Sequence, residues 1–419
     1  MPNTKIKVLY TIPNFDTAGS GKVVYDLVKS LDASRFEPAI AVEHSKGHFF
    51  KEVEQLGVTI YIQPVSASYR PYLSLYRRIK KIASFIKKHQ FDVVHSWHWS
   101  SDWTEVLGAK LGGAKFVYTK KAMSWGNKHW KIRSYLSDFI VTINPEMKSF
   151  FPYKKQQKLI PLGIDTSYYN PKLFKKNQDT DNFEIVTVAN LVPVKGIETL
   201  IGAIKELADN SIILKIIGDT RNPYADQLKK LSVSLNLEKQ IFFLGNKNDI
   251  RPYVANADLY VIPTLDIGRK EGFGVALIEA MSLGVPVLGS KTSGIKYILE
   301  DYQEHLFKPG DIKDLGIKII HVKSKSNSER EKIGLEFRKF CKKNFSIETL
   351  FRNSLGSPQV CQIYNREGVR LFRARRDNLG HRLAIDVVQD KLVAGVEQVL
   401  GHRAAHYAET DESDFGFGH

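Results

Sequence analysis

The apolar run Leu259-Tyr260-Val261-Ile262-Pro263 is followed closely by Glu271-Gly272-Phe273-Gly274-Val275-Ala276-Leu277-Ile278-Glu279-Ala280-Met281. A short apolar run, paired glycines and an amphipathic pattern that stops near Gly284 read as a strand, a turn and a helix. Such a strand-to-helix turn is the repeating unit of doubly wound proteins, and here the unit recurs along the chain. Strands are expected at 6–12, 38–43, 58–63, 91–95, 115–119 and 138–143, with helices between them. A second series follows at 184–189, 212–217, 241–244, 259–262 and 285–289. Strands alternating with helices, twice over, predict an α/β chain of two doubly wound, Rossmann-like domains facing a central cleft. The turn-rich stretch from Leu159 through Pro161, Gly163 and Asp165 to Pro171, with polar residues to Asn182, marks the linker. We place the domains at 1–165 and 166–350, with an appended tail at 351–419.

The Glu271–Met281 stretch also carries chemistry. Backbone N–H groups at a helix start are unpaired and partly positive, so a glycine turn opening a helix is a ready anion site. Glu271 and Glu279 stand eight residues apart. At ~100° per residue that offset places both on nearly one helix face. If Glu271 sits in the turn before the first helical turn, both still point toward one cleft. Carboxylates repel phosphate but accept hydrogen bonds from hydroxyls. Hydroxyl acceptors beside an anion hole suggest a sugar nucleotide. On spacing alone, a packing turn and a solvated helix face account for the same residues, so the rest of the chain has to decide.

Charge and composition narrow the partners. The chain of 419 residues carries a net charge of +16. Residues 1–350 hold 42 Lys and 10 Arg, whereas 351–419 hold 1 Lys and 8 Arg. That tail, with one helical pattern at about 383–400 and an acidic finish, has a different composition and is assigned no function. A basic excess favours polyanions. There is no Arg-rich repeat, RRM-like aromatic strand or zinc spacing, so nucleic acid is not expected and an anionic membrane surface is the better candidate. Tyr72–Gln90 fits that surface: Leu73, Leu75, Tyr76, Ile79, Ile82, Phe85 and Ile86 fall on one side, and Arg77, Arg78, Lys80, Lys81, Lys87 and Lys88 largely on the other. The apolar side is expected to pack on a sheet, leaving the basic residues of 70–90 to meet lipid, each contributing ~1 kcal/mol near the surface. No apolar run reaches the ~18 residues of a membrane span. The N-terminus reads as a strand rather than a signal peptide, and Cys341 and Cys361 fit no metal or disulfide pattern. A cytoplasmic protein, peripheral on the inner membrane face, is the expectation.

Other turns add candidates. Gly19-Ser20-Gly21-Lys22 follows the first strand, but Asp16 and Val23 stand where a phosphate loop needs Gly and Ser or Thr. The two glycines either admit a ligand to the backbone or simply make the turn. Asp92-Val93-Val94-His95-Ser96-Trp97-His98-Trp99 ends a strand, the place where open α/β sheets put ligands. The aromatic, basic run Trp125–Lys131 is expected near the same cleft. In the second series, strands end in Asn190-Leu191-Val192-Pro193-Val194-Lys195-Gly196, in Gly218-Asp219, in Gly245-Asn246 and in Ser290–Gly294.

With the paired-Glu stretch, the 19–21 turn, Pro161-Leu162-Gly163-Ile164-Asp165, Val192–Gly196 and Gly218-Asp219 in this order, residues 5–350 resemble a retaining glycosyltransferase of family 4 with the GT-B fold. The resemblance implies that Glu271 and the Gly272-Phe273-Gly274 backbone hold donor-sugar hydroxyls, and that Glu279 accepts from the ribose. It implies that Lys195 and the N–H groups of Val275 and Ala276 bind the diphosphate, and that Gly19 lets the N-terminal loop close over it. Asn190, Gly218 and Asn246 join the donor site, and His95 or His98 faces the sugar. The family usually has Arg at the place of Asn190, and its second His two residues after the first, where this chain has Trp97. The implied donor is a UDP- or GDP-sugar, and the acceptor a glycan or lipid-linked precursor. No metal or further cofactor is required by the resemblance. Two other readings compete: a sugar-nucleotide 2-epimerase of similar layout, and a non-catalytic basic membrane- or nucleic-acid-binding protein.

Overall fold

The computed structural model describes residues 5–350, except 17, 48, 99–100, 125–126, 176–181 and 269–270. Trp99, Trp125, Cys361 and the whole 351–419 tail, including its helical pattern, lie outside the described residues. In the first half, β1 (Ile6–Thr11), α1 (Ala18–Lys29), β2 (Phe36–Val42), α2 (Phe50–Glu54) and β3 (Thr59–Ile62) lead to α3 (Leu75–His89). Then come β4 (Val93–Ser96), α4 (Thr104–Leu111), β5 (Lys115–Lys120), α5 (His129–Leu136), β6 (Phe139–Thr142) and β7 (Gln157–Leu159). The second half opens with β8 (Phe183–Val188), α6 (Ile197–Leu207), β9 (Ile212–Ile217), α7 (Pro223–Ser234), β10 (Ile241–Gly245) and α8 (Arg251–Ala255). It continues through β11 (Leu259–Ile262), α9 (Val275–Ser282), β12 (Val287–Ser290), α10 (Ser293–Ile298), β13 (Leu306–Phe307), α11 (Ile312–Lys323) and α12 (Asn327–Phe345).

Two sheets result, with strand orders β3-β2-β1-β4-β5-β6-β7 and β10-β9-β8-β11-β12-β13, and their pairings are parallel. Side chains alternate between the two faces of each strand. Val8 and Tyr10 enter one apolar cluster while Leu9 enters another; Tyr260 and Ile262 are likewise separated from Leu259 and Val261. Each sheet is therefore covered by helices on both sides, which is why its strands read as unbroken apolar runs. Two Rossmann-like units are the observed architecture. Ile143 and Met147 of the first half pack into the cluster that holds Phe273, Leu277 and Ile278 of the second, so the halves share apolar core.

Three local readings change. α1 begins at Ala18, so Gly19 and Gly21 lie within its first turns and not in a preceding loop. β7 occupies the start of the expected linker; its Gln-Lys-Leu has no apolar run, and pairing to β6 makes it a strand. β13 is likewise a two-residue strand made by its neighbour β12. At the far end of the described chain, Ile164 donates to Phe345 O at 3.0 Å and accepts from Ile347 N at 3.1 Å, which ties α12 back to the crossover between the halves. Arg338 of α12 reinforces the crossover by donating to Tyr169 O at 2.9 Å and to Asn170 Oδ1 at 3.1 Å.

The apolar side of α3 is used as expected. Ile79, Ile82, Phe85 and Ile86 are buried. α4 lies so close that a Cβ on Gly108 would stand 2.3 Å from Ile82, and one on Gly112 2.6 Å from Ile86. Arg77, Lys80, Lys81, Lys87 and Lys88 are exposed, whereas Arg78 turns back onto the carbonyls of Arg70 and Pro71, at 3.0 and 2.5 Å. Tyr72, Leu73 and Tyr76 at the start of the helix do not join the core: they are exposed, Leu73 fully. No described helix is long and apolar enough to cross a membrane.

Candidate active site

Each sheet reverses its strand order once, between β1 and β4 and between β8 and β11. Ligands of open α/β sheets bind beyond the strand C-termini at such a switch point. Lys195 follows β8 and Glu271 follows β11, so the second switch point has one of these residues on each side.

The turn carrying Lys195 is set by Gly196. Its φ is 62°, and a Cβ there would lie 2.2 Å from Pro263 O, so neither the conformation nor the packing admits another residue. Leu265 N donates to Val194 O at 2.8 Å and fastens this turn to the end of β11. Lys195 Nζ is thereby brought to Glu271 Oε2, with which it forms an ion pair and hydrogen bond.

The Glu271–Gly274 turn is held from both halves. A Cβ on Gly272 would lie 1.9 Å from Lys121 O, beyond β5, and Asn144, beyond β6, donates from Nδ2 to Gly272 O at 2.6 Å. Gly294 of α10 presses against the Phe273 backbone from the other side. The Phe273 side chain is buried and meets the Phe345 ring edge-on at 5.7 Å, so it is committed to packing. Gly274, at φ 118°, starts α9, whose N-terminus has no side-chain cap. Val275 and Ala276 are the first two residues of that helix, where N–H groups lack an intrahelical partner.

The two glutamates do not share a helix face. Glu271 precedes α9 and Glu279 is the fifth residue within it. Burial raises the Tyr260 phenol, and the Glu279 carboxylate and, more weakly, that of Glu271 add to the rise. Glu279 Oε1 accepts from Tyr169 Oη at 2.6 Å. Burial raises the Glu279 carboxyl; the Tyr169 hydrogen bond and Lys22 oppose this, while Asp26 adds to it. Burial first, and then Glu279, pushes the Tyr169 phenol well above its ordinary value. Tyr169 therefore stays a hydroxyl donor to Glu279. Sequence reasoning did not find it, because 110 residues separate the pair and Tyr168-Tyr169 carries no motif.

The remaining sequence-based candidates divide. Gly218 ends β9, and a Cβ there would stand 2.1 Å from Ala189 O, so packing alone demands the glycine. Asn190 and Asn246 are exposed at the ends of β8 and β10, on the same edge of the sheet. Gly19 is the opposite of Gly218: its φ is not positive and, among the described residues, nothing lies within 4 Å of a Cβ placed on it, whereas Gly21 is packed on Phe15.

At the first switch point, His95 and His98 are both buried. His95 Nε2 pairs with Thr119 Oγ1 at 2.8 Å, its Nδ1 has no partner among the described residues, and burial holds the ring down to about 3. Burial also lowers His98, against an opposing pull from Glu105. Beneath them lies a network absent from the sequence-based candidates. Arg133 Nη2 donates to Glu105 Oε2 at 2.5 Å and to Ser96 Oγ at 2.6 Å, and Nη1 to Asp102 O at 2.6 Å. Ser96 donates to Glu105 at 2.8 Å, and Thr11 also donates to it. Burial raises the Glu105 carboxyl, but Arg133, His98 and these hydroxyls outweigh it, and it ends below its ordinary value.

Comparison with known proteins places the chain in a family. Residues 170–340 match the family model described as "Glycosyl transferases group 1", and residues 17–168 match "Glycosyltransferase Family 4". The chain is 29% identical over 145 residues to the putative colanic acid biosynthesis glycosyltransferase WcaL of Escherichia coli, covering 33% of this chain and 35% of that protein. It is 25% identical over 276 residues to the UDP-Gal:alpha-D-GlcNAc-diphosphoundecaprenol alpha-1,3-galactosyltransferase of Escherichia coli, 57% of this chain and 69% of that one. The match thus spans about a third of the length of the first relative and about two thirds of the second. A glycosyltransferase structure from Rickettsia africae superposes with a TM-score of 0.74 at 21% identity, covering 87% of this chain and all of that one. With both halves of the chain matched in turn and the two-sheet GT-B architecture in place, this protein belongs to glycosyltransferase family 4.

Proposed function

We propose that this protein transfers a sugar from a nucleotide-diphosphate sugar to an acceptor with retention of configuration. The observation that carries this reading is the Lys195–Glu271 pair, set across the β8/β11 switch point beside the uncapped start of α9. The match to a relative whose name specifies a UDP-sugar donor and a diphosphoundecaprenol acceptor supports, of the UDP- and GDP-sugars expected, a UDP-sugar donor, and a glycan or lipid-linked acceptor.

The residues have separate tasks. As the sugar leaves, negative charge grows on the diphosphate; an ammonium and helix-start amides already aimed at it stabilise that charge without reorganising. Lys195, Val275 and Ala276 take this part. Glu271 positions sugar hydroxyls, and Glu279 accepts from the ribose with Tyr169 holding its other oxygen. The leaving phosphate takes the acceptor proton, so no protein base is assigned. Lys195 and Glu271 keep 24% and 22% of their side chains exposed. An ion pair of that kind contributes only ~0–1 kcal/mol, so a diphosphate and a hydroxyl displace it at little cost. Gly19 leaves room for the diphosphate beside α1, Asn190, Gly218 and Asn246 border the donor, and His95 and His98 lie toward the sugar. No metal or cofactor is needed for this scheme. The domain boundary falls at 165.

A thermal-shift panel of UDP- and GDP-sugars on the full chain tests the reading. Binding stabilises by mass action, ~2.7 kcal/mol at a ligand concentration one hundred times Kd. At least one nucleotide sugar is expected to raise the melting temperature, and Lys195→Ala to abolish the rise. No shift with any of them defeats the proposal. Conversion of the nucleotide sugar to its epimer with no acceptor present replaces it with an epimerase.

The acceptor side is placed at an anionic membrane, through the exposed Arg77, Lys80 and Lys81 and the neighbouring Tyr72, Leu73 and Tyr76. Reversing the three charges is expected to release the protein from phosphatidylglycerol liposomes in a flotation assay, at ~1 kcal/mol per residue. Flotation that ignores the reversal removes the membrane from the proposal.

A further inference from the structure

Gly21-Lys22 does not complete a phosphate loop, yet Lys22 has a defined place between the two halves. Its ammonium pairs with Asp26 one turn along α1 and stands 4.8 Å from the centre of the Tyr25 ring and 4.9 Å from that of Tyr168. Tyr168 belongs to the crossover into the second half, and the Arg251 guanidinium of α8 also stands over its ring, at 3.6 Å. Arg251 is fixed by hydrogen bonds of 2.8 Å to both carboxylate oxygens of Asp249, and donates to Tyr168 O at 3.1 Å. One aromatic ring thus carries a cation from each half. The adjoining Tyr169 meets it edge-on at 5.1 Å and donates to Glu279.

The Lys22–Asp26 pair is not an ordinary solvated helix pair. Its side chains are only 11% and 2% exposed, and Asp26 Oδ2 has no partner among the described residues. A buried carboxylate oxygen without a partner is a standing cost, which a pair serving only to stabilise a helix does not need to carry. The charges also reach Glu279: Lys22 favours its ionised form and Asp26 opposes it.

We infer that Lys22 is a positioning residue for the donor: held by Asp26, it clasps the Tyr168 ring against Arg251 and sets α1 of the first half over the Tyr169–Glu279 pair. Ribose recognition then depends on where α1 stands. The donor part of this inference rests on the reading of Glu279 as the ribose acceptor.

The test uses the full chain with Lys22→Met, Lys22→Arg and Tyr168→Leu. Loss of a desolvated cation–ring contact is expected to raise the donor KM about tenfold in Lys22→Met while kcat changes less than about threefold. Lys22→Arg restores KM to within about threefold. In parallel, spin labels at cysteines introduced at the exposed Ser84 and Lys239, in a Cys361→Ser background, report the distance between the halves. That distribution is expected to broaden in Lys22→Met and Tyr168→Leu but not in Lys22→Arg. Unchanged KM and an unchanged distribution in Lys22→Met overturn the inference. So does an equal loss of kcat and kcat/KM that Lys22→Arg does not rescue. A wild-type chain that binds no nucleotide sugar overturns the donor reading and the donor role of Lys22 with it, while the distance distributions still judge the clasp.

Discussion

At the end of β4, His95, Ser96 and His98 are buried, and Arg133 and Glu105 beneath them are closed to solvent. At the end of β11, Lys195 and Glu271 each leave about a quarter of the side chain open and have chiefly one another as partner. Both places are strand C-termini beside a switch point, and both are rich in polar groups. They differ in what the groups are free to do. Arg133 makes hydrogen bonds to three groups, and Glu105 accepts from Arg133, Ser96 and Thr11. Such a network commits Arg133 Nη1 and Nη2 and the Glu105 carboxylate to the protein and holds the backbone around the histidines. The Lys195–Glu271 pair can exchange each half for a better partner, which is what a binding site requires.

Mutations at the two places should therefore fail in different ways, and the largest effect belongs to the closed network. Arg133→Met strands the Glu105 carboxylate away from water, and breaking a buried ion pair from one side typically costs ~3–5 kcal/mol. Chemical denaturation should show that loss, with activity falling only as the fold does. A loss below ~1 kcal/mol would mean that the β4 end is wetter and looser than its burial suggests. At the open site, Lys195→Ala or Glu271→Gln should lower sugar transfer by at least ~100-fold, the size of removing one donor from a charge-stabilising site. The melting temperature should move by no more than ~2–4 °C, since the pair contributes ~1 kcal/mol or less to stability. Transfer at near wild-type rate in both variants would refute the site.

Near neutral pH the effects of titration are the smallest, and they separate the two regions by sign. Burial places the Glu279 carboxyl above the 4.5 of an ordinary glutamate, so the folded chain binds that proton more tightly than the unfolded one. Its contribution to stability is present at low pH and lost as pH rises through the folded value. On the proposed role of Glu279 as ribose acceptor, donor binding needs the ionised form and runs the other way: the donor KM should rise on acidification, beginning above the range of an exposed glutamate. Glu279→Gln should remove that limb. His95 is held at about 3 against an ordinary 6.5, so the unfolded chain takes up a proton that the folded one refuses. Stability is therefore lost as pH falls from about 6.5 toward 3, at up to ~1.4 kcal/mol per pH unit for this one group. His95→Gln should flatten that slope in a denaturation series and leave the KM limb in place.

Local pattern was enough for much of this. Apolar runs and turn residues separate β8, β9, β11 and β12 from their helices, because strand period and turn chemistry act over a few residues. Val192–Gly196 and Gly272–Gly274 were visible for the same reason: Gly196 and Gly274 answer to their own positive φ. β7 and β13 were not visible, since a short strand without an apolar run exists only through its neighbour.

The sequence by itself determined the alternation of strand and helix, the two glycine turns, and which turns would carry Lys195, Glu271 and Glu279. Only the tertiary structure decided what those residues touch. Asn144 reaches Gly272 across 128 positions, Tyr169 reaches Glu279 across 110, and Arg133 reaches Glu105 across 28. The physical reason is one of range: backbone conformation and periodicity are settled within a turn or two, whereas a buried charge takes whichever partner the packed sheets bring within about 3 Å.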